Sequence, residues 1–184
     1  MRFAQRVSRF ILKCFGWKSK LNVELPDKCV LVVAPHTSNW DFIIGELMYQ
    51  SVSKDGNVNF LIKKDWFKFP FNHIFGPLGG VPVDRGRSNS LVSQLVEEYN
   101  KRDIMRLAIT PEGTRKANPK WKRGFYHISR LANVPMLLIY IDYEKKVAGI
   151  DEVFTATGDE EADIQHIKAY YTKYKGKNPE GFAI

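Results

Sequence analysis

The stretch HTSNWD, residues 36–41, carries the residue types and spacing that most directly suggest catalysis. A histidine oriented by a carboxylate acts as a general base, because the carboxylate fixes the imidazole tautomer and stabilises the imidazolium that forms. On one continuous helix, positions five apart differ by about 140° in azimuth and do not face each other. His36 and Asp41 can therefore work together only if His36 lies in a loop and Asp41 in the first turn of a helix. The alternative is a structural pair that closes a turn and caps a helix, and the spacing alone does not exclude it.

Two further segments place polar residues at the ends of predicted strands and could supply a substrate site. The first, GGVPVDR at residues 79–85, ends in Arg85, and the second, TPEGTR at residues 110–115, ends in Arg115. Guanidinium groups hold phosphate through planar, bidentate hydrogen bonds, and Gly113 lets the backbone approach a ligand closely. Because ligands of open α/β sheets gather at the carboxyl ends of the strands, we expect all three polar segments to meet at one edge.

The sequence offers no evident covalent nucleophile near these segments. It contains no Gly-x-Ser-x-Gly elbow, and its two cysteines, Cys14 and Cys29, lie outside all three segments. The group that loses a proton to His36 is therefore expected to be a hydroxyl of the substrate itself. The two cysteines also have neither metal-type spacing nor the number that a disulfide framework needs, so a reducing cytosol is the expected compartment.

Apolar patterns along the chain predict alternating strands and helices. Strands are predicted at residues 29–34, 58–64, 81–84, 104–110 and 134–143, with an antiparallel partner of the last one at 145–155. Helices are predicted at residues 39–52, 88–102, 122–133 and 159–174, and a short helix and turn at 66–80. This alternation favours an α/β fold, a single domain with a mostly parallel central sheet flanked by helices. At 184 residues with 44% apolar residues, the chain can bury a substantial core.

Residues 1–20 have the pattern of a basic amphipathic helix, and we assign residues 21–184 to the main domain. Apolar residues recur at helical spacing, while the other faces carry four cations: Arg2, Arg6, Arg9 and Lys13. Such a helix can lie in a membrane interface with its cations near anionic headgroups, or it can pack on the domain, and the sequence leaves both open. No apolar run in the sequence is long enough to span a bilayer.

The net charge of +8 predicts a negatively charged partner. Candidates are nucleic acid, anionic lipid headgroups, phosphorylated substrates and an acidic carrier protein, and charge alone does not choose among them. A single-stranded nucleic-acid surface is a distinct hypothesis, because aromatic residues are interleaved with cations in KKDWFKF and KWKRGFY, residues 63–69 and 120–126. That hypothesis gives Asp41 and Glu112 no role, since carboxylates repel phosphate backbones.

Four blocks, taken together, resemble those of the glycerolipid acyltransferases, which acylate glycerol-3-phosphate or 1-acylglycerol-3-phosphate. That family has a His-x-x-x-x-Asp block, a glycine-rich block ending in Arg, a Phe-Pro-Glu-Gly-Thr-Arg block and a Val-Pro block. Here they stand in the same order as HTSNWD, GGVPVDR, TPEGTR and VPMLLI, and the resemblance covers roughly residues 25–140. Two departures, Thr110 for the phenylalanine and Leu138 for a second proline, bear on the acceptor more than on the chemistry.

The resemblance implies an O-acyltransferase of phospholipid synthesis. It would move a fatty acyl chain from acyl-carrier protein or acyl-CoA to the free hydroxyl of 1-acyl-sn-glycerol-3-phosphate, giving phosphatidic acid without an acyl-enzyme. His36 would be the general base and Asp41 its orienting partner. The phosphate and glycerol would be bound by a second set of residues: Arg85, Glu112, Gly113, Thr114 and Arg115. No metal or other cofactor is implied.

The resemblance leaves alternatives for the acceptor and sets an expected location. Another lyso-lipid, such as an amino-acid-linked one, or glycerol-3-phosphate could take the acyl group instead. The protein would be cytoplasmic and peripheral on the inner face of the cell membrane. Its partners there would be the lyso-phospholipid acceptor, the anionic thioester donor and an anionic membrane surface, and not nucleic acid.

Overall fold

The computed structural model describes residues 2–63, 79–83 and 91–184 of the 184-residue chain. Five α-helices occur within these residues: α1 (Phe3–Cys14), α2 (Trp40–Val52), α3 (Leu91–Lys101), α4 (Gly124–Ala132) and α5 (Glu160–Tyr171). The strands in the same part of the chain are β1 (Lys18–Leu21), β2 (Lys28–Ala34), β3 (Phe60–Lys63), β4 (Gly80–Val83), β5 (Met105–Ile109), β6 (Met136–Asp142) and β7 (Val147–Phe154). A 3-10 helix, Pro179–Gly181, lies near the C-terminus.

The central sheet has five strands in the order β1-β7-β6-β2-β5. β6 and β7 are antiparallel neighbours, as predicted, and the other neighbouring pairs are parallel. β3 and β4 form a separate parallel pair, which reaches the central sheet through a bridge between Asn59 and Leu107. The predicted mostly parallel α/β sheet is therefore confirmed. β2 and β5 run in parallel register, so their carboxyl ends lie side by side at one edge.

Helices cover both faces of the central sheet. On β2, Val30 and Val32 join a buried cluster shared with α3, α4 and α5, whereas Cys29 and Leu31 join a second cluster shared with α1 and α2. This alternation is the two-residue period of a strand. It also explains the continuous apolar run in the sequence, because a strand covered on both faces has no solvent side. The strand that ends just before His36 is thus held from both sides.

The predicted strands and helices within the described residues are present, with ends shifted by a few positions. The predicted helix and turn at 66–80 lies almost entirely outside those residues. β1 was not predicted, because its sequence KSKL lacks the apolar character of a typical strand. It forms at the edge of the sheet by pairing with β7 alone, and its residues alternate between exposed and half-buried.

α1 packs on the domain and also exposes much of its apolar face. Leu12 is buried in the cluster shared by α1 and α2, whereas Phe3, Phe10 and Phe15 are 84%, 68% and 68% exposed. The helix therefore contacts protein on one side and faces solvent on the other, and its contact with a membrane stays a prediction. Within the described part of the chain, no helix combines the length and the apolar character needed to cross a bilayer.

Candidate active site

His36 and Asp41 form a hydrogen-bonded pair at the carboxyl end of β2. His36 lies in the loop between β2 and α2, and Asp41 is the second residue of α2. Nδ1 of His36 is 3.2 Å from Oδ2 of Asp41. This is the arrangement that the five-residue spacing requires for the two side chains to meet. With Nδ1 engaged by the carboxylate, Nε2 is the ring nitrogen available to take a proton from a substrate.

The Asp41 carboxylate also organises the loop that carries His36. Its Oδ2 accepts hydrogen bonds from the backbone amides of Thr37 and Ser38 at 2.7 and 2.8 Å, and its Oδ1 accepts one from the hydroxyl of Tyr143 at 2.8 Å. Burial would raise the pKa of Asp41, but the hydrogen bonds from His36, Tyr143 and the two amides outweigh it and hold that pKa below its ordinary value. An ionised Asp41 therefore both closes the turn and orients the histidine.

Glu112 ties the second polar segment to the first. Its side chain is only 2% exposed, and its Oε1 accepts a hydrogen bond from the backbone amide of His36 at 2.8 Å. Its Oε2 is buried without a hydrogen-bond partner in the described part of the structure. Burial raises the pKa of Glu112, and the hydrogen bond from the His36 amide offsets this only in part. The carboxyl group thus supports the backbone of His36 from inside the fold, and its predicted contact with a glycerol headgroup stays a prediction.

Gly113 makes room for a lysine that lines the same region. Its φ is +64°, which disfavours a side chain, and an added Cβ would lie 2.6 Å from Cε of Lys122. The backbone amide of Lys122 donates to the carbonyl of Pro111 at 2.8 Å, which fixes the lysine beside this turn. With a larger residue at this position, the Lys122 side chain would have to move from its place across the turn.

The remaining residues of the segment lie at the surface beside the pair. Arg115 is exposed, and its guanidinium group donates to the side-chain oxygen of Asn39. Thr114 is half-buried, and its hydroxyl accepts a hydrogen bond from the amide of Lys116 at 3.3 Å. Arg115 is thereby held next to the start of α2, where Asp41 lies.

A cavity of about 970 Å³ adjoins the pair. Its polar lining includes His36, Asp41, Asn39, Thr110, Thr114, Arg115, Lys116 and Lys122, and Glu46 adds a second carboxylate. Phe42, Gly45 and Tyr49 line it at successive turns of α2, so it extends from the pair along this helix. Its further apolar lining includes Leu31, Val33, Val58, Phe60 and Ala108. The cavity therefore presents both cations and a long apolar wall to a ligand.

The structure brings together most of the predicted site residues. His36 and Asp41 meet residues 112–115 at the shared edge of β2 and β5, as the strand-end rule predicts. Arg85 lies outside the described residues, so its place at the site stays a prediction. Among the residues that are described, no group of three or more His, Cys, Asp or Glu could hold a metal ion.

Sequence reasoning missed three side chains that complete the site. Tyr143 donates a hydrogen bond to Asp41, Asn39 accepts one from Arg115, and the side chain of Lys122 lies over Gly113. A signal existed for Tyr143, because it directly follows β6, a parallel neighbour of β2 whose carboxyl end reaches the same edge. No sequence signal pointed to Asn39 or Lys122 in particular.

The nucleic-acid hypothesis loses part of its basis in the structure. Trp121, Phe125 and Tyr126 of the segment KWKRGFY are 6%, 1% and 0% exposed. Buried rings cannot stack on bases, so these aromatic residues belong to the core. The segment KKDWFKF lies outside the described residues except for Lys63.

Comparison with known proteins agrees with the four sequence blocks. A family model described as Acyltransferase matches residues 18–142, which is most of the chain and includes every block. No curated protein sequence matches significantly. The fold is similar to the crystal structure of the 1-acyl-sn-glycerophosphate (LPA) acyltransferase PlsC from Thermotoga maritima, with a TM-score of 0.53 and 18% identity over 96% of this chain and 86% of that chain. On the match to the family model, this chain belongs to the Acyltransferase family.

Proposed function

We propose that this acyltransferase moves a fatty acyl chain from a thioester to the free hydroxyl of 1-acyl-sn-glycerol-3-phosphate, giving phosphatidic acid. The observation that carries the proposal is the His36–Asp41 pair beside a cavity lined by cations and by a long apolar wall. The fold neighbour from Thermotoga maritima, which its name describes as acting on this acceptor, supports the choice. The donor is the thioester of acyl-carrier protein or of coenzyme A, both of which are anionic and suit the net charge of +8.

The pair performs the transfer in two proton movements. Nε2 of His36 takes the proton of the acceptor hydroxyl while its oxygen attacks the thioester carbonyl carbon, and Asp41 stabilises the imidazolium that forms. The tetrahedral intermediate then collapses, the carbon–sulfur bond breaks, and the leaving thiolate receives the proton from His36. One ester and one thiol result, and no acyl-enzyme is formed. General-base catalysis of this kind contributes about 10² to 10⁴ in rate.

The cations beside the pair recognise the phosphate of the acceptor. Arg115 and Lys122 both line the cavity, and neither forms a salt bridge with an acidic side chain in the described part of the structure. Charge-assisted hydrogen bonds to a phosphate are roughly twice as strong as neutral ones. Gly113 is exposed beside them. Arg85 is proposed as a further cation for this phosphate.

The apolar wall holds a fatty chain. Phe42, Val58 and Phe60 contribute to it, and the ring of Phe42 meets that of Phe60 edge-on with centroids 5.8 Å apart. Each buried methylene contributes about 0.8 kcal/mol, so a chain lying along this wall is bound mainly by its length.

An apolar surface near the site suits a peripheral location on the inner face of a membrane. Trp40, Phe42 and Ile43, at the start of α2, are 53%, 58% and 44% exposed. α2 packs against α1, which exposes Phe3 and Phe10, and Phe15 is exposed just after the end of α1. Two packed helices with exposed apolar side chains and nearby cations match an interface of acyl chains and anionic headgroups.

The acceptor is tested by mass spectrometry with a panel of acyl acceptors. Purified protein with anionic vesicles would receive an acyl-CoA or an acyl-carrier-protein thioester together with lyso-phosphatidic acid, glycerol-3-phosphate or an amino-acid-linked lyso-lipid. We expect the highest kcat/KM with lyso-phosphatidic acid. A clear preference for either of the other acceptors would overturn the proposed acceptor and leave the acyl transfer itself intact.

A further inference from the structure

We propose that Tyr143 is a positioning residue for the transfer, and that its hydroxyl fixes the carboxylate that orients His36. The inference rests on the proposed function, in which His36 acts as the base. It adds a third side chain to the pair, from a strand end that is distant in sequence from both. None of the four sequence blocks contains Tyr143.

The hydrogen bonds of the carboxylate are divided unequally between its two oxygens. Oδ2 of Asp41 accepts hydrogen bonds from the backbone amides of Thr37 and Ser38 at 2.7 and 2.8 Å, and it lies 3.2 Å from Nδ1 of His36. Oδ1 accepts a hydrogen bond from the hydroxyl of Tyr143 at 2.8 Å, and the described part of the structure contains no other donor to Oδ1. Loss of that hydroxyl would leave a buried carboxylate oxygen without a partner. The carboxylate would then turn toward water or another donor, which would move Oδ2 away from the imidazole.

Tyr143 is itself held by two separate parts of the chain. Its backbone amide donates to the carbonyl of Lys175 at 2.9 Å, in the segment after α5. Its ring meets the ring of Trp17 edge-on, with centroids 5.0 Å apart and planes at 90°. Trp17 is 9% exposed and lies in the short connection between α1 and β1. The hydroxyl is therefore presented to Asp41 from a fixed ring, as a positioning role requires.

The hydroxyl stays a donor over the working pH range. Burial, and then the hydrogen bond to Asp41 and its negative charge, raise the pKa of Tyr143. The titratable groups that face the carboxylate are His36 and Tyr143, and Glu112 acts on it through its charge. Both ionised Asp41 and protonated Tyr143 are thus maintained together, which is the state the hydrogen bond needs.

The test compares Tyr143→Phe with Tyr99→Phe. The hydroxyl of Tyr99 is also buried and donates to the carbonyl of Cys29 at 2.8 Å, in the core and away from the pair. We expect kcat of Tyr143→Phe to fall about 10-fold or more, with KM little changed, because the base is misplaced and binding is not. The acid limb of its kcat/KM profile should move to lower pH, because a carboxylate that has turned away from the imidazole stabilises the imidazolium less. Tyr99→Phe should lose stability and keep both kcat and the profile.

A measurement without substrate separates this inference from the proposed function. The ring-nitrogen chemical shifts of ¹⁵N-histidine-labelled protein report which nitrogen of His36 carries the proton, and His36→Gln assigns the signal. We expect the Nδ1–H tautomer to dominate in the wild type and in Tyr99→Phe, and to lose population in Tyr143→Phe. Unchanged shifts and unchanged kcat in a folded Tyr143→Phe would overturn the positioning role. A wild-type protein that shows the Nδ1–H signal but transfers no acyl group would overturn the proposed function instead.

Discussion

Asp41→Asn separates the proposed charge-stabilising role of Asp41 from its role in closing the loop. An asparagine can keep its side-chain oxygen on the amides of Thr37 and Ser38 and turn its NH₂ toward the hydroxyl oxygen of Tyr143, which can accept. The loop therefore keeps its shape. The imidazolium of His36, in contrast, loses the negative charge that stabilises it, so kcat should fall about 10²- to 10⁴-fold. That loss corresponds to about 3 to 5 kcal/mol in the activation free energy.

The cost in stability is smaller and can be worked out from the same contacts. Two backbone amides donate to the carboxylate at 2.7 and 2.8 Å, and each hydrogen bond loses its charge assistance in the variant. With about 1 kcal/mol lost per bond, the free energy of unfolding should fall by about 2 kcal/mol. For a chain of this size, that lowers Tm by about 4 to 8 °C. The variant should thus remain folded at the temperature of the assay.

The assay is the initial rate of thioester consumption with lyso-phosphatidic acid, measured for Asp41→Asn, His36→Ala and the double variant. Because the two residues act as a unit, the double variant should be about as slow as His36→Ala alone. Rate losses that multiply in the double variant, or a folded Asp41→Asn with wild-type kcat, would refute the dyad. A nucleic-acid binding protein would instead be unaffected by Asp41→Asn or would bind more tightly.

Further predictions concern the headgroup, the buried carboxyl group and the membrane. Lys122→Met should raise the KM for lyso-phosphatidic acid about 10-fold. Lys120→Met should not, because Lys120 is exposed and does not line the cavity. Equal effects of the two substitutions would show that Lys122 does not bind the acceptor. The pKa of Glu112 is raised in the folded state, so the folded protein binds the carboxyl proton of Glu112 more tightly than the unfolded chain does. The free energy of unfolding therefore falls as the pH rises above 4.5, the ordinary pKa of a glutamate. Denaturant unfolding should therefore show that the free energy of unfolding of Glu112→Gln increases relative to wild type from acidic to neutral pH. A relative decrease over this range would contradict the raised pKa of Glu112. Phe10→Ser should weaken sedimentation with anionic vesicles about 5-fold or more. Leu131→Ser should not, although Leu131 on α4 is 66% exposed against 68% for Phe10, and identical losses would argue against a specific membrane face.

The sequence predicted the parts of the site that follow from local pattern. A loop histidine and a first-turn aspartate could be inferred from their spacing, and the meeting of residues 112–115 with His36 followed from parallel strands β2 and β5. β1 was missed because tertiary pairing with β7, and not its own composition, makes KSKL a strand.

The contacts that complete the site depend on the whole fold. The hydrogen bond between Tyr143 and Asp41 joins residues 102 positions apart, and no local periodicity encodes it. The inward direction of the Glu112 side chain was equally hidden, since an acidic residue in a polar loop is usually exposed. For Tyr143, and for the direction of the Glu112 side chain, packing and not spacing determines which groups are contacted.

In the proposed reaction, His36 transfers a proton during direct acyl transfer from a thioester to a phosphorylated glycerolipid. The most direct measurement is the yield of phosphatidic acid from lyso-phosphatidic acid and an acyl thioester, detected by mass spectrometry for wild type and for a folded His36→Ala. We predict phosphatidic acid from the wild type and at least about 100-fold less from the variant. Undiminished product from His36→Ala would contradict the mechanism, and no product from folded wild type with either donor would contradict the assignment to this acceptor.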